Sequence, residues 1–76
     1  MSNFNINEMF EVSSSNVGAI GYDESSQTLY VRFLNNALYI YKGVPIGEFY
    51  GLKNAPSIGS YLHRNIKNLF SYERIE

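Results

Sequence analysis

The chain has 76 residues, of which 45% are hydrophobic and 16% aromatic, with two prolines and no cysteine. A chain of this length has interior for one domain, and its composition predicts a folded rather than a disordered protein. Disulfides and thiolate metal sites are excluded, and the formal net charge of -1 provides no overall attraction to nucleic acid.

Charge is distributed unevenly along the chain. Residues 1–37 hold one basic and four acidic side chains, a net charge of -3, whereas residues 38–76 hold five basic and three acidic side chains, a net charge of +2. The first nine residues contain no basic residue and no long apolar run, so they match neither a signal peptide nor a membrane span. We therefore predict an intracellular protein without membrane contact, with its positive charge in the C-terminal half.

Apolar and polar residues alternate between Val17 and Tyr41, with interruptions at residues 23–27 and at Asn35-Asn36. Alternation is typical of strands, and both interruptions are rich in turn-forming residues. The pattern therefore predicts three short strands that follow one another in an antiparallel meander.

A two-residue turn at Asn35-Asn36 would determine how the second and third strands pair. It places Arg32 opposite Tyr39 and Tyr30 opposite Tyr41, and alternate side chains then divide between two faces. The predicted aliphatic face contains Val17, Ala19, Leu29, Val31, Phe33, Leu38 and Ile40. The predicted aromatic face contains Ile20, Tyr22, Tyr30, Arg32, Tyr39 and Tyr41.

Helical spacing begins after Pro45 and predicts a short helix up to Asn54. Pro56 and Ser57 end this helix and open a second one. Its predicted buried stripe is Ile58, Tyr61, Leu62, Ile66 and Leu69, and its opposite side carries Ser60, His63, Arg64 and Lys67. Residues 70–75 form either a tail or an added C-terminal edge strand. The predicted fold class is α+β, a three-stranded antiparallel meander followed by two C-terminal helices.

We assign residues 1–11 to an N-terminal arm and residues 12–76 to the domain. Two helices on one side can cover only one face of a sheet whose two faces are both apolar. Either the N-terminal arm or a second copy of the chain must cover the other face. The second alternative predicts a homodimer through the sheet face.

No set of residues in the sequence predicts catalysis. His63 is the single histidine, its neighbours in the helix are basic, and no nucleophile and carboxylate accompany it in a recognisable arrangement. Neither a metal-ligand spacing nor a phosphate-binding glycine loop is present. We therefore expect a protein that is not an enzyme, with no catalytic residue, no metal and no cofactor.

The predicted aromatic face admits two interpretations. Tyr30, Tyr39 and Tyr41 beside Arg32 could stack against single-stranded bases, while the basic helix surface of His63, Arg64 and Lys67 binds phosphates. Alternatively, the tyrosines only pack across neighbouring strands, and the basic surface is the solvated side of an amphipathic helix.

Several separated motifs resemble those of the KTSC domain family, and the resemblance covers residues 12–75. They are Tyr39-Ile40-Tyr41, Gly43-Val44-Pro45, Asn54-Ala55-Pro56-Ser57-x-Gly59-x-Tyr61, and the closing Tyr72-Glu73-Arg74. This family occurs at the end of some bacterial lysyl-tRNA synthetases and as small free-standing proteins of bacteria and phages. The resemblance therefore implies the cytoplasm of a bacterial host cell, and it implies no catalytic residues.

Two functions follow as hypotheses. The first is a binding module for RNA or single-stranded nucleic acid, which the association with a tRNA enzyme suggests by analogy. The second is a protein-interaction module, for example a phage-encoded inhibitor of a host factor, with a tyrosine-rich contact surface. Nucleic-acid binding should weaken steeply as salt rises, whereas an aromatic protein interface should respond little.

Overall fold

The computed structural model describes residues 9–76. Over this range the order of elements is β1 (Phe10–Glu11), β2 (Val17–Asp23), β3 (Thr28–Phe33), β4 (Leu38–Lys42), α1 (Ile46–Lys53), α2 (Ile58–Asn65) and β5 (Ser71–Arg74). The strands form one antiparallel sheet in the order β1-β2-β3-β4-β5. Short turns connect the first strands, and the two helices lie between β4 and β5.

The α+β class and the two helices are confirmed, but the predicted count of three strands is wrong. Two strands are added at the edges of the meander. β1 has only two residues, too few to show an alternation of apolar and polar residues. All four residues of β5 are exposed, so its sequence lacks the apolar positions that alternation would reveal. β5 is the edge strand that was one of the two alternatives for residues 70–75. Phe10 and Glu11, assigned to the arm, pair with Ile20 and Ala19; residues 1–8 lie outside the described residues.

The turn between β3 and β4 has three residues, and the predicted two-residue turn is wrong. Phe33 N–H donates to the Ala37 carbonyl over 2.9 Å, and Asn36 has a left-handed φ of 70°. Asparagine adopts this conformation more readily than most residues, as the third position of such a loop requires. The extra loop residue shifts the pairing by one, so that Tyr39 lies opposite Val31 and Tyr41 opposite Leu29.

Relative to β3, this shift moves each side chain of β4 to the face opposite the predicted one. β2 also differs from prediction, because Ile20 and Tyr22, predicted to share a face with Tyr30, lie opposite Val31 and Leu29. The face toward the helices therefore carries Val17, Ile20, Tyr22, Leu29, Val31, Phe33, Tyr39 and Tyr41. The outer face carries Ala19, Gly21, Tyr30, Arg32, Leu38 and Ile40. The predicted division into one aliphatic and one aromatic face is therefore wrong, because each observed face contains residues from both predicted faces.

Both helices bury apolar side chains on the inner face of the sheet. Phe49 and Leu52 come from α1, and Ile58, Leu62 and Ile66 from α2 and its C-terminal cap. Leu69, predicted to belong to this stripe, is 69% exposed. The reason is that α2 ends at Asn65 and the chain turns away toward β5.

The residues of the Asn-Ala-Pro-Ser-x-Gly motif form the junction between the two helices. Asn54 donates from Nδ2 to the Tyr50 carbonyl over 2.9 Å at the end of α1. The Ser57 hydroxyl oxygen accepts from the Ser60 N–H over 3.3 Å and caps α2. A side chain at Gly59 would lie 2.8 Å from Asn16 Oδ1, so glycine permits this close approach. These motif residues hold the helices in place.

Gly51 is a second point of close approach, and its replacement is expected to destabilise the fold. The Tyr61 hydroxyl donates to the Glu48 carboxylate over 2.8 Å, and a Cβ at Gly51 would lie 2.8 Å from Tyr61 Cζ. Gly51→Ala should therefore lower the free energy of unfolding by about 1–3 kcal/mol in urea titrations. Gly47→Ala in the same helix meets nothing within 4 Å and should raise that free energy by up to about 1 kcal/mol. Equal effects of the two substitutions would contradict this explanation.

Candidate functional site

A groove of about 610 Å³ opens on the inner face of the sheet, beyond the end of α2. Its floor is formed by β3, β4 and β5, and its walls by the turn after α2 and the segment before β2. The lining residues are Ser15, Asn16, Phe33, Leu34, Asn35, Ala37, Tyr39, Tyr41, Lys67, Asn68, Tyr72 and Arg74. The groove is within the size range of ligand sites.

Three tyrosines from two strands form one cluster on the floor. Tyr39 and Tyr41 are alternate residues of β4, and Tyr72 of β5 lies opposite Tyr41 in the sheet. The ring centroid of Tyr72 is 5.8 Å from each of the other two, and those two are 6.5 Å apart. Phe33 of β3 meets Tyr39 edge-on with centroids 5.3 Å apart. We call Tyr39, Tyr41 and Tyr72 the tyrosine cluster.

Exposure differs widely within the tyrosine cluster. Tyr41 is 1% exposed and belongs to the core, Tyr39 is half-buried, and Tyr72 is 59% exposed. Burial raises the pKa of the Tyr41 phenol to about 12, and the neighbouring Tyr39 and Tyr72 add to the effect. The Tyr41 hydroxyl is therefore protonated at neutral pH. Tyr41 has a packing role, and Tyr72 offers the most accessible ring.

The hydroxyls of the tyrosine cluster differ in their hydrogen bonding from those of the half-buried Tyr22 and Tyr61. Tyr22 donates to the Val44 carbonyl and Tyr61 to Glu48. Within residues 9–76, no hydroxyl of the tyrosine cluster is hydrogen-bonded to another protein group. The hydroxyls of Tyr39 and Tyr72 can therefore donate to, or accept from, a molecule in the groove.

Three of the six basic residues are occupied away from the groove. Arg32 lies 2.6 Å from Glu76, and Lys42 lies 3.6 Å from Glu73. The ammonium of Lys53 sits 4.7 Å above the centre of the Phe10 ring. These contacts leave Arg64, Lys67 and Arg74.

Two of the remaining three cations lie in the groove. Lys67 and Arg74 line it, and Arg64 is in the last turn of α2, just before Lys67. Within the described residues none of the three forms an ion pair with an Asp or Glu side chain, and the lining of the groove contains no aspartate or glutamate. Arg74 Nε donates to the Glu76 carbonyl over 2.8 Å, so its Nη groups stay available. The groove therefore combines aromatic rings with unneutralised positive charge.

The structure brings together only some of the predicted site residues. Tyr39, Tyr41 and Lys67 line the groove, whereas Tyr30 and Arg32 lie on the outer face of the sheet. The predicted platform of Tyr30, Arg32, Tyr39 and Tyr41 is therefore wrong, because the three-residue turn separates its members. His63 and Arg64 are exposed on α2 and do not line the groove.

Phe33, Tyr72 and Arg74 are groove residues that the sequence prediction did not include. Tyr72 and Arg74 are two positions apart in β5, the spacing of residues on one face of a strand. That spacing was a usable signal once an edge strand at residues 70–75 was considered.

Within residues 9–76, no cluster of three or more His, Cys, Asp or Glu side chains is arranged to hold a metal ion. No helix in the same range is long and apolar enough to span a membrane.

The fold and the groove define a small α+β protein with a tyrosine-lined, positively charged groove on its sheet. The KTSC domain model matches residues 13–72, and the chain belongs to the KTSC domain family. The predicted family is thereby confirmed. A crystal structure of a KTSC domain protein from Yersinia pestis superimposes with a TM-score of 0.87 at 32% identity. That match covers 91% of this chain and 97% of the Yersinia chain.

Related sequences occur in two settings. A lysine–tRNA ligase of Nostoc sp. is 36% identical over 67 residues, which cover 88% of this chain and 12% of the ligase. A protein of Tsukamurella paurometabola is 39% identical over 62 residues, covering 82% of this chain and 92% of that protein. The chain thus corresponds to about an eighth of the ligase, and to nearly all of its small relative.

Proposed function

We propose that this protein is a small non-enzymatic module of the bacterial cytoplasm that binds RNA or other single-stranded nucleic acid in the tyrosine groove. The observation that carries the proposal is the combination of the exposed Tyr72 ring and the half-buried Tyr39 ring with Lys67 and Arg74, in a lining that within residues 9–76 contains no Asp or Glu side chain. A base can stack on Tyr72 or Tyr39, and the hydroxyls of these two tyrosines can form hydrogen bonds with its edges.

The positive charges set how strongly such binding depends on salt. Lys67 and Arg74 can neutralise two phosphates, and Arg64 on α2 a third. For single strands the logarithm of the binding constant falls with slope of roughly -0.7 per neutralised phosphate, giving a slope of about -1.4 to -2.1. Raising salt from about 50 to 200 mM should then weaken binding by about 7- to 18-fold.

The test is fluorescence anisotropy with a labelled oligouridylate of eight nucleotides at these two salt concentrations. Binding with the stated salt dependence, and weaker binding to a duplex of equal length, would support the proposal. The duplex is the matched control, because its stacked bases cannot lie on the tyrosine rings. Equal affinity for the duplex would reduce the interaction to general charge attraction and contradict the proposal.

A protein-interaction module is the second candidate, and a phage-encoded inhibitor of a host factor is its special case. The observation in its favour is the exposed apolar surface at the groove, where Leu34 is 60% and Tyr72 59% exposed. The same hypothesis includes a homodimer through the sheet face. A partner captured equally well at both salt concentrations would favour this candidate over nucleic acid.

A further inference from the structure

Arg32 is connected to the groove through the sheet, although it lies on the opposite face. Its guanidinium Nη1 lies 2.6 Å from Glu76 Oε1 and donates to the Asn36 carbonyl over 2.9 Å. The backbone carbonyl of Glu76 in turn accepts from Arg74 Nε over 2.8 Å. A chain of hydrogen bonds thus runs from the outer face to a groove cation.

Backbone hydrogen bonds to β4 hold Glu76, the middle member of this series of hydrogen bonds, in place. The Glu76 carbonyl also accepts from the Leu38 N–H over 3.1 Å, and the Ile75 N–H donates to the Leu38 carbonyl over 2.8 Å. The segment after β5 therefore continues to pair with the start of β4. Because one main-chain oxygen accepts from both the Leu38 N–H and Arg74 Nε, any shift of Glu76 moves the acceptor to which the Arg74 guanidinium is bonded.

We propose that Arg32 and Glu76 are positioning residues for nucleic-acid binding: they orient Arg74 in the groove without touching the ligand. The inference depends on the proposed function, because it concerns the same groove. Arginine loses considerable rotamer freedom when it binds a phosphate, and an arginine already held at Nε loses less. Immobilising one such side chain corresponds to about a 2- to 12-fold difference in affinity.

The outer face provides a matched control at the same pair of strands. Lys42 of β4 and Glu73 of β5 form an ion pair with a distance of 3.6 Å. Both of these side chains are well exposed, and neither is hydrogen-bonded to Arg74 in the described structure. Replacing Lys42 by alanine changes the net charge as replacing Arg32 does, and replacing Glu73 changes it as replacing Glu76 does. Neither control substitution removes a member of the hydrogen-bond series that leads to Arg74.

The experiment measures binding of the labelled oligouridylate to four single variants of the full chain. We expect Arg32→Ala and Glu76→Ala each to weaken binding by about 2- to 12-fold. Lys42→Ala should change affinity by less than about 2-fold, since exposed charges this far from the ligand are screened. The sign for Glu76→Ala is decisive. Loss of a negative charge should by itself strengthen binding, as expected for Glu73→Ala.

A second readout does not require the ligand. In nitrogen-15 NMR spectra, the Arg74 Nε–H signal should shift and exchange faster in Arg32→Ala and Glu76→Ala, but not in the two control variants. The amide signals of β5 should persist in all four. Their loss in Glu76→Ala would assign the contact a purely structural role and overturn the inference.

The outcomes separate this inference from the proposed function. If the wild-type protein does not bind the oligouridylate, the proposed function fails and the inference falls with it. If the wild type binds and Glu76→Ala binds equally or more tightly, only the positioning role is overturned. Weaker binding of Glu76→Ala, together with unchanged or tighter binding of Glu73→Ala, supports it.

Discussion

Tyr41→Ala is expected to lower the free energy of unfolding by about 3–5 kcal/mol, the usual effect of truncating a buried aromatic side chain. Tyr41 is 1% exposed and packs in the core between the sheet and the helices. A domain of this size has a total stability of about 4–11 kcal/mol, so the variant should be largely unfolded or close to it. Circular dichroism during urea titration measures the effect. A loss below about 1 kcal/mol would show that Tyr41 is a surface residue.

Tyr41→Phe is the matched control, because it keeps the ring and removes only the hydroxyl. It should stay folded at neutral pH and be less sensitive to alkali than the wild type. Burial raises the pKa of Tyr41 from its ordinary value of 10.0 to about 12, so the folded state holds this proton more tightly. The resulting stability is complete below pH 10 and is lost as the pH rises to 12. Stability curves of the two proteins that fall in parallel above pH 10 would contradict this.

The double variant Lys67→Glu, Arg74→Glu is expected to weaken binding of the oligouridylate by about 100-fold or more while the protein stays folded. Each residue can supply one charge-assisted hydrogen bond to phosphate, worth about 1.5–3 kcal/mol. Both side chains are exposed, so reversing their charge should leave the core intact. The slope of binding against salt should fall in magnitude by about 1.4. Anisotropy titrations at several salt concentrations measure both effects.

The matched control for this variant is Lys42→Glu, Lys53→Glu. It changes the net charge by the same amount, but Lys42 pairs with Glu73 and Lys53 lies over Phe10, away from the groove. We expect a decrease in affinity of only a few-fold from the general charge of the protein. Equal losses in the two double variants would mean that net charge, and not the groove, governs binding.

Much of the fold could be predicted from local sequence. Pro45 precedes α1, and Pro56 and Ser57 precede α2, where proline and a capping hydroxyl define helix starts. The alternation in β2, β3 and β4 marked those strands. β1 and β5 were difficult because a strand of two residues, or one exposed throughout, shows no period.

The candidate site could be predicted only in part. Tyr39, Tyr41 and Lys67 were identified, but Tyr39 and Tyr41 were grouped on one face with Tyr30 and Arg32, which lie on the other face of the sheet. The error came from one residue in one turn, since Asn35-Asn36 is compatible with loops of two or three residues. A shift by one residue moves every side chain of a strand to the other face, so a small local ambiguity becomes a large error in the site.

The sequence alone determined the α+β class, both helices and the middle strands, because periodicity, proline and capping residues act over a few neighbouring positions. The family was indicated separately, by the resemblance of several motifs, and the family model confirms it. The tertiary structure decided which faces the tyrosines occupy and which cations remain unpaired. Arg32 forms an ion pair with Glu76, which is far from it in the sequence. Tyr72 lies beside Tyr41 because β5 pairs with β4. Contacts between residues distant in sequence create the groove, and a pattern of neighbouring residues in the sequence does not predict such contacts.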